Sequence, residues 1–263
     1  GDTLFIINRR NVIQARIKVD FMFKSRSFGY ILVGHGNFQF CREQDRVVQR
    51  VLYHNKKYAF IHIARGDYYK NIGNQGKAIR EYKKAIGFDK KNPAAHFKMG
   101  LLYYKMKIEL YALREFQIAY DNRFRLVDNE DKFILLSHLL KLRSNDIFNK
   151  ELPVRLRRKY QKEAFKYGKE AIKLYPQSQN IYFQMGLLYF RGVIKSDVKA
   201  KNYFLKVVKY NPLHVKSNIA LAVLYFKHKN KVKALKFIKK ALQGDPTNKR
   251  ARQVFAYIKK YNK

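Results

Sequence analysis

The sequence has no tryptophan, one cysteine and five prolines in 263 residues. A single thiol, Cys41, excludes an internal disulfide and a metal centre built on paired thiolates. It does not distinguish a cytoplasmic from a periplasmic compartment. Acidic residues are scarce: 19 Asp+Glu stand against 57 Lys+Arg, a net charge of +38. That leaves little material for acid–base chemistry, and neither an enzyme nor a cofactor is expected. The seven histidines show no HExxH spacing. Gly34-His35-Gly36 lacks the Lys and the following helix that a phosphate loop needs, and no nucleophile elbow is present. Long apolar runs are also missing. Leu4 to Ile7 is far too short to span a bilayer, and the opening residues carry no signal-peptide pattern. The chain opens at Gly1, which leaves room for an anchor or signal ahead of it; with an anchor there the protein would be membrane-associated.

What is present argues for an ordered chain. Hydrophobic residues make up 47%, with 20 Tyr and 20 Phe, far from the composition of disorder. The charge would attract nucleic acid, an anionic membrane surface or an acidic protein. The abundance of Lys, Asn, Ile, Tyr and Phe also matches what an AT-rich coding sequence favours, and both readings of the charge stay open. Nothing in the sequence sets the oligomeric state.

A repeat dominates the chain. Ala78, Tyr82 and Ala85 recur 34 residues later as Ala112, Phe116 and Ala119. The pattern returns as Ala200, Phe204 and Val207, and 34 residues on as Ala234, Ile238 and Ala241. Each set is preceded by a small residue and a Tyr: Gly66 and Tyr69, Gly100 and Tyr103, Gly186 and Tyr189, Ala222 and Tyr225. Pro176, Pro212 and Pro246 close three of the units, where a helix must stop. A period of this length is the signature of a solenoid. Small residues on both helices let the backbones approach, and the aromatic is expected to fill the space toward the next repeat.

The pattern resembles the tetratricopeptide repeat, carried by MGLLYY (99–104), MGLLYF (185–190), LAVLYF (221–226), ALREFQIA (112–119) and ALKFIKKALQGDP (234–246). The helix A Trp of that family is replaced by His62, His96, Tyr182 and Asn218. His62 and His96, 34 apart, are read as packing residues and not as a metal pair. The resemblance implies a mainly α fold, a right-handed solenoid of about five helix pairs with a capping helix. The units run 59–92, 93–126, 127–178 (enlarged), 179–214 and 215–248, with the cap at 249–263; the solenoid as a whole is expected over 43–263, with 43–57 helical. Two extra residues near Gly192 to Asp197 make the fourth unit resemble a Sel1-like variant.

Two segments depart from the repeat. Residues 1–42 read as a β-rich addition: Ile17 to Phe23 alternate at period 2, Phe28 to Val33 read as a second strand, and Phe38 to Phe40 as a third. In the third unit, helix A is expected near 129–143 and helix B near 156–174. The stretch 144–158 between them reads as a detour, either a binding loop or a harmless insertion.

The resemblance also implies a site. Tetratricopeptide solenoids present helix A on their concave side, which makes Phe97, Leu101, Tyr104, Phe183, Leu187, Phe190, Ile219, Val223 and Phe226 a candidate apolar groove. Lys105, Arg191 and Lys227 form a basic rim beside it. The family's carboxylate clamp needs cationic and amide residues where this chain has Ile63, Asp67, Lys98, Asn180 and Gln184; only Lys98 is of a fitting type, so no such clamp is expected. The expected function is a protein–protein interaction scaffold, its partner an acidic amphipathic helix or an extended apolar segment. The family implies a place in a larger bacterial assembly of the envelope, secretion, pilus or flagellar-motor kind. Binding of RNA or DNA through the basic surface is the rival.

Overall fold

The computed structural model describes residues 3–7, 13–22, 27–34 and 54–260. They fall in two compact units, Gly1–Leu126 and Val127–Lys263.

The first unit begins with an antiparallel sheet of strands β1 (Thr3–Ile7), β2 (Ile13–Met22) and β3 (Ser27–Gly34), in that order. The alternating segment from Ile17 lies in β2, and Phe28–Val33 lies within β3. The expected strand at 38–40 lies outside the described residues, and the third strand among those described is another one. It is β1, formed by the apolar run Leu4 to Ile7, with Leu4 opposite Ile17 and Ile6 opposite Ala15. Four helices follow: α1 (His54–Asn71), α2 (Gln75–Phe88), α3 (Pro93–Lys105) and α4 (Glu109–Asp121), then a 3-10 turn at Arg123–Arg125. Of the segment 43–57, residues 54–57 are the first turn of α1, and 43–53 lie outside the described residues.

The second unit holds α5 (Asn129–Phe148), α6 (Val154–Leu174), α7 (Gln179–Arg191), α8 (Asp197–Tyr210), α9 (Val215–Lys227), α10 (Lys231–Gly244) and α11 (Lys249–Lys260). Odd-numbered helices pack on the even-numbered ones that follow, and each even-numbered helix within a unit packs on the next.

Helix starts follow local chemistry. The Asn92 side chain accepts from the Ala95 amide at 3.1 Å, with Pro93 in the first helical position, where a missing N–H costs nothing. Asn74, Ser196 and Asn230 cap α2, α8 and α10 in the same way. Three of the turns inside helix pairs share one backbone form. Gly73, Lys107 and Lys229 all take positive φ, and the next amide returns to the helix A tyrosine carbonyl: Asn74 to Tyr69, Ile108 to Tyr103 and Asn230 to Tyr225, at 2.8–2.9 Å.

The small–aromatic pattern is a packing rule within each pair, which corrects the expectation that the ring reaches toward the next repeat. The Tyr82 ring lies on Gly66, Phe116 on Gly100 and Phe204 on Gly186. A Cβ on Gly100 would sit 2.7 Å from the Phe116 ring, and one on Gly186 would sit 2.6 Å from the Phe204 ring. In the fifth pair Ala222 replaces the glycine and the slimmer Ile238 replaces the ring, both fully buried. In α6 the register Ala164, Gly168, Ala171 puts a glycine at the aromatic's place, and Met185 of α7 packs over it.

The enlarged third unit contains no long loop. The stretch 144–158 is absorbed by extending both helices, to 20 residues in α5 and 21 in α6, leaving only 149–153 between them. Leu139, Leu140, Leu142 and Ile147 continue the buried face of α5, so burial carries the helix past the expected end. The Ser144 hydroxyl donates to the Leu140 carbonyl at 2.7 Å, and Arg157 Nε donates to the Ile147 carbonyl at 2.8 Å. Among the described residues, no helix is long and apolar enough to cross a membrane. At the other end, α11 buries Ala251 and Ile258 against the core of α9 and α10, with Val254 and Phe255 half-buried, as a cap requires.

Candidate functional site

In the first unit the helix A face is tied by charge. His62 Nδ1 lies 2.7 Å from Glu81 Oε2, and His96 Nδ1 lies 2.5 Å from Glu115 Oε2, the same contact one repeat on. His96 Nε2 also reaches the Lys90 carbonyl at 3.0 Å. Both histidines thus wedge helix A to helix B where the family has Trp. Burial pushes the Glu81 carboxyl up, but the bonds from Lys84 and His62 outweigh it and hold the group below its usual range. No group of three or more His, Cys, Asp or Glu among the described residues is arranged to hold a metal.

Asp67 sits one position after Gly66, where later repeats have Leu101, Leu187 and Val223. It accepts from the Tyr82 hydroxyl at 2.7 Å and pairs with Lys98 at 2.9 Å. Lys98, the one cation of clamp type, is therefore engaged within the chain. Leu101 and Tyr104 are half-buried on α3, and Lys105 is exposed at its end. Phe97 is 1% exposed and packs against Phe116, so it belongs to the core and leaves the candidate groove.

In the second unit Leu187 and Phe190 of α7 and Val223 and Phe226 of α9 are all half-buried. Phe190 meets Phe204 edge-on at 6.2 Å, and Phe226 meets Tyr257 of α11 edge-on at 5.6 Å. Phe183 is largely consumed by Phe204 and His214. Ile219, 7% exposed, is a core residue and also leaves the groove. The rim differs from its reading as a row of equivalent cations. Lys227 pairs with Asp197 at 2.6 Å, His228 lies 3.0 Å from the same oxygen, and Arg191 stacks over Phe148 at 5.6 Å. The Lys227 bond holds the Asp197 carboxyl below its usual range against burial, with His228 adding to the effect.

Two features escaped the sequence reading. Gln161 on α6 is fully buried and clasps the two-residue insertion. Its amide nitrogen donates to the Leu188 and Ile194 carbonyls at 2.7 and 3.0 Å, and its oxygen accepts from the Ile194 amide at 2.7 Å. A lone Gln in a Lys-rich helix carries no signal of this. The second feature is a recurring lid on the helix A tyrosine. Lys77 lies over Tyr69, Lys199 over Tyr189 and Lys233 over Tyr225, at 5.4–5.6 Å. Tyr111 takes the corresponding place beside Tyr103. The residue just before the helix B alanine supplies the lid each time, a regularity visible in the sequence once the register is known.

A family model described as a TPR repeat matches residues 66–107, the span from the Gly66 contact to the turn at Lys107. No curated protein matches the sequence significantly. Solved structures match more widely. YrrB, described as a TPR protein with an unusual peptide-binding site, aligns over 77% of this chain and 94% of its own, with 22% identity and a TM-score of 0.59. MamA aligns over 73% and 93%, with 21% identity and a TM-score of 0.55. The pilF protein of Pseudomonas aeruginosa aligns over 78% and 85%, with 21% identity and a TM-score of 0.52. At these identities the likeness is one of fold. It agrees with the repeat register, the glycine–aromatic contacts and the matched segment: residues 66–107 match a tetratricopeptide repeat, and the fold is the one that tetratricopeptide-repeat proteins share.

Proposed function

We propose that this chain is a non-catalytic scaffold that holds a segment of another protein against its helix A faces. The observation that carries this reading is the partial exposure of Leu187 and Phe190 on α7 and of Val223 and Phe226 at the matching positions of α9, with Tyr257 of α11 set edge-on against Phe226. The core of the second unit is already closed beneath them by Phe204, Leu221 and Ile238, so these side chains exceed what packing requires. Leu101 and Tyr104 are the corresponding positions of the first unit. An amphipathic helix or an extended apolar segment fits such a surface. Nearby cations favour an acidic partner and would act mainly on association rate. The peptide-binding description of YrrB supports this reading. A place in a larger bacterial assembly is part of this reading and rests on analogy of the repeat alone.

Replacing Leu101, Leu187 and Val223 together with Glu tests it. The positions are only half-buried, so the fold is expected to survive, as circular dichroism would show, while partner capture is lost. Unchanged capture by the folded variant would refute the reading.

The net charge of +38 favours nucleic acid as the second reading. Against it, Tyr69, Tyr189 and Tyr225 already carry Lys lids and are not offered for base stacking. A salt titration separates the two readings. Micromolar RNA or DNA binding that falls steeply with salt would establish the rival, and no binding at modest salt would remove it.

A further inference from the structure

The second unit has two edges, set by where its helices end and begin. At one edge, helices α5, α7, α9 and α11 end and helices α6, α8 and α10 begin. Three contacts show that these ends lie together: Arg191 over Phe148, Lys227 with Asp197, and Phe226 with Tyr257. At the other edge the even-numbered helices end and the odd-numbered ones begin.

The first edge is densely cationic. The α7–α8 connection brings Arg191, Lys195 and Lys199, all exposed. The α9–α10 connection brings Lys227, Lys229 and Lys233, and α11 ends on Lys259 and Lys260, again exposed. Carboxylates there are few, and Asp197 is already taken up by Lys227 and His228. Apolar side chains stand out among these cations: Val154 is 57% exposed, Val198 62%, Val232 82% and Tyr257 53%. Val154, Val198 and Val232 each lie at the start of a helix B, so they form a row along the edge. Lys229 holds a positive φ of 58°, a conformation that Gly73 fills without strain in the first repeat. Lys107 takes the same turn in the first unit, and at this edge the turn leaves Lys229 exposed at the tip. The opposite edge exposes Val127, Tyr175, Tyr210 and Leu213, and its cations, Lys173, Lys209, Lys216, Lys249, Arg250 and Arg252 among them, are accompanied by Asp128, Glu130, Asp131 and Asp245.

We propose that this edge of the second unit docks on an anionic lipid bilayer, with the lysines over the headgroups and Val154, Val198, Val232 and Tyr257 entering the interface. The chemistry selects lipid over the other polyanions. Headgroup binding uses compact lysine charges with interspersed apolar tips. A nucleic acid would instead call on uncovered aromatic faces, and Tyr189 and Tyr225 at this edge lie beneath Lys199 and Lys233. The edge shares Arg191, Lys227 and Tyr257 with the helix A surface, and the test therefore changes Lys195, Lys229, Val198 and Val232, which lie outside it.

The test is co-sedimentation of the whole chain with vesicles of phosphatidylglycerol and phosphatidylcholine, against phosphatidylcholine alone, with single-stranded RNA binding measured in parallel. Wild type is expected to pellet only with the anionic vesicles. Each surface lysine is worth about fivefold in such binding. The double variant Lys195→Glu, Lys229→Glu should therefore bind at least about twentyfold more weakly, while Lys216→Glu, Lys249→Glu at the opposite edge changes little. Val198→Ser with Val232→Ser, which leaves every charge in place, should weaken vesicle binding by about fivefold or more and leave RNA binding unchanged. The proposal is overturned if wild type does not pellet with anionic vesicles, if both lysine pairs weaken binding equally, or if the serine variant binds vesicles as wild type does. It is also overturned if the Lys195 and Lys229 changes abolish RNA binding alone.

Discussion

The first two helix pairs and the last two are built on one backbone plan but are wedged differently. In α1–α4 the wedges are built on carboxylates: Glu81 with His62, Glu115 with His96, Asp67 with Lys98, and Asp89 with Arg125. In α7–α10 they are mostly aromatic and amide. Tyr182 and Tyr189 both pack on Tyr203, Tyr225 stacks on Phe237 at 5.3 Å, and Asn218 donates to the Pro212 carbonyl at 2.9 Å. The glycine–aromatic contact is common to both regions. The repeat therefore demands a close approach of its two helices and tolerates several ways of filling the remaining gap. A Trp is one solution, and a His–Glu pair of similar reach is another.

The comparison can be broken first at what the regions share. Phe116→Ala and Phe204→Ala each remove a fully buried ring that rests on a glycine, and each is expected to cost about 3–5 kcal/mol. Urea unfolding would read both losses; a large loss in one region only would show that the contact is not equivalent in the two. Next comes the device peculiar to the fourth pair. Gln161→Ala leaves the Leu188 and Ile194 carbonyls and the Ile194 amide without their partner, a loss of about 1–3 kcal/mol. Hydrogen exchange should quicken across 192–196 before it quickens elsewhere.

Acid sharpens the contrast. Burial raises the Asp89 carboxyl, but Arg125 outweighs it and the group ends below its ordinary value, as Glu81 does. A carboxyl depressed in the folded state adds stability that is fully present above its ordinary value. That stability is lost as pH falls through the depressed one. Melting of the first unit should therefore fall in that acid window, and Asp89→Asn should lower the neutral melting temperature while flattening the acid decline. An unchanged acid limb would remove Asp89 from the account. The smallest effect belongs to Lys98→Ala, whose partly exposed pair with Asp67 is worth less than about 1 kcal/mol. Its unfolding midpoint should barely move, because Tyr82 still holds Asp67.

Much of this fold was legible in the residues. Ala112, Phe116 and Ala119 against Gly100 and Tyr103 specify a helix pair without knowledge of any contact, since only that spacing puts small and large residues on facing surfaces. The enlarged third unit was not legible. Its extra residues look like a loop until the burial of Leu142 and Ile147 shows that they continue a helix. The candidate site was legible in part. Spacing placed Leu187, Phe190, Val223 and Phe226 on matching helix faces, but it could not tell them from Phe97 and Ile219, which the same spacing selects and neighbouring helices bury.

By itself, then, the shortage of tryptophan, cysteine and acidic residues narrowed the chemistry, and the 34-residue period determined the helix pairs and their order, while the contact of each ring with the glycine of its own pair came from the structure. The pairs and their order are local, periodic properties, and one chain suffices to read them. Tertiary structure decided what fills the absent tryptophan's place, which lysines are spent on Asp67, Asp197 and the tyrosine rings, and which cations gather at one edge of the second unit. Those outcomes depend on residues from different helices meeting, and a sequence states no distance between them.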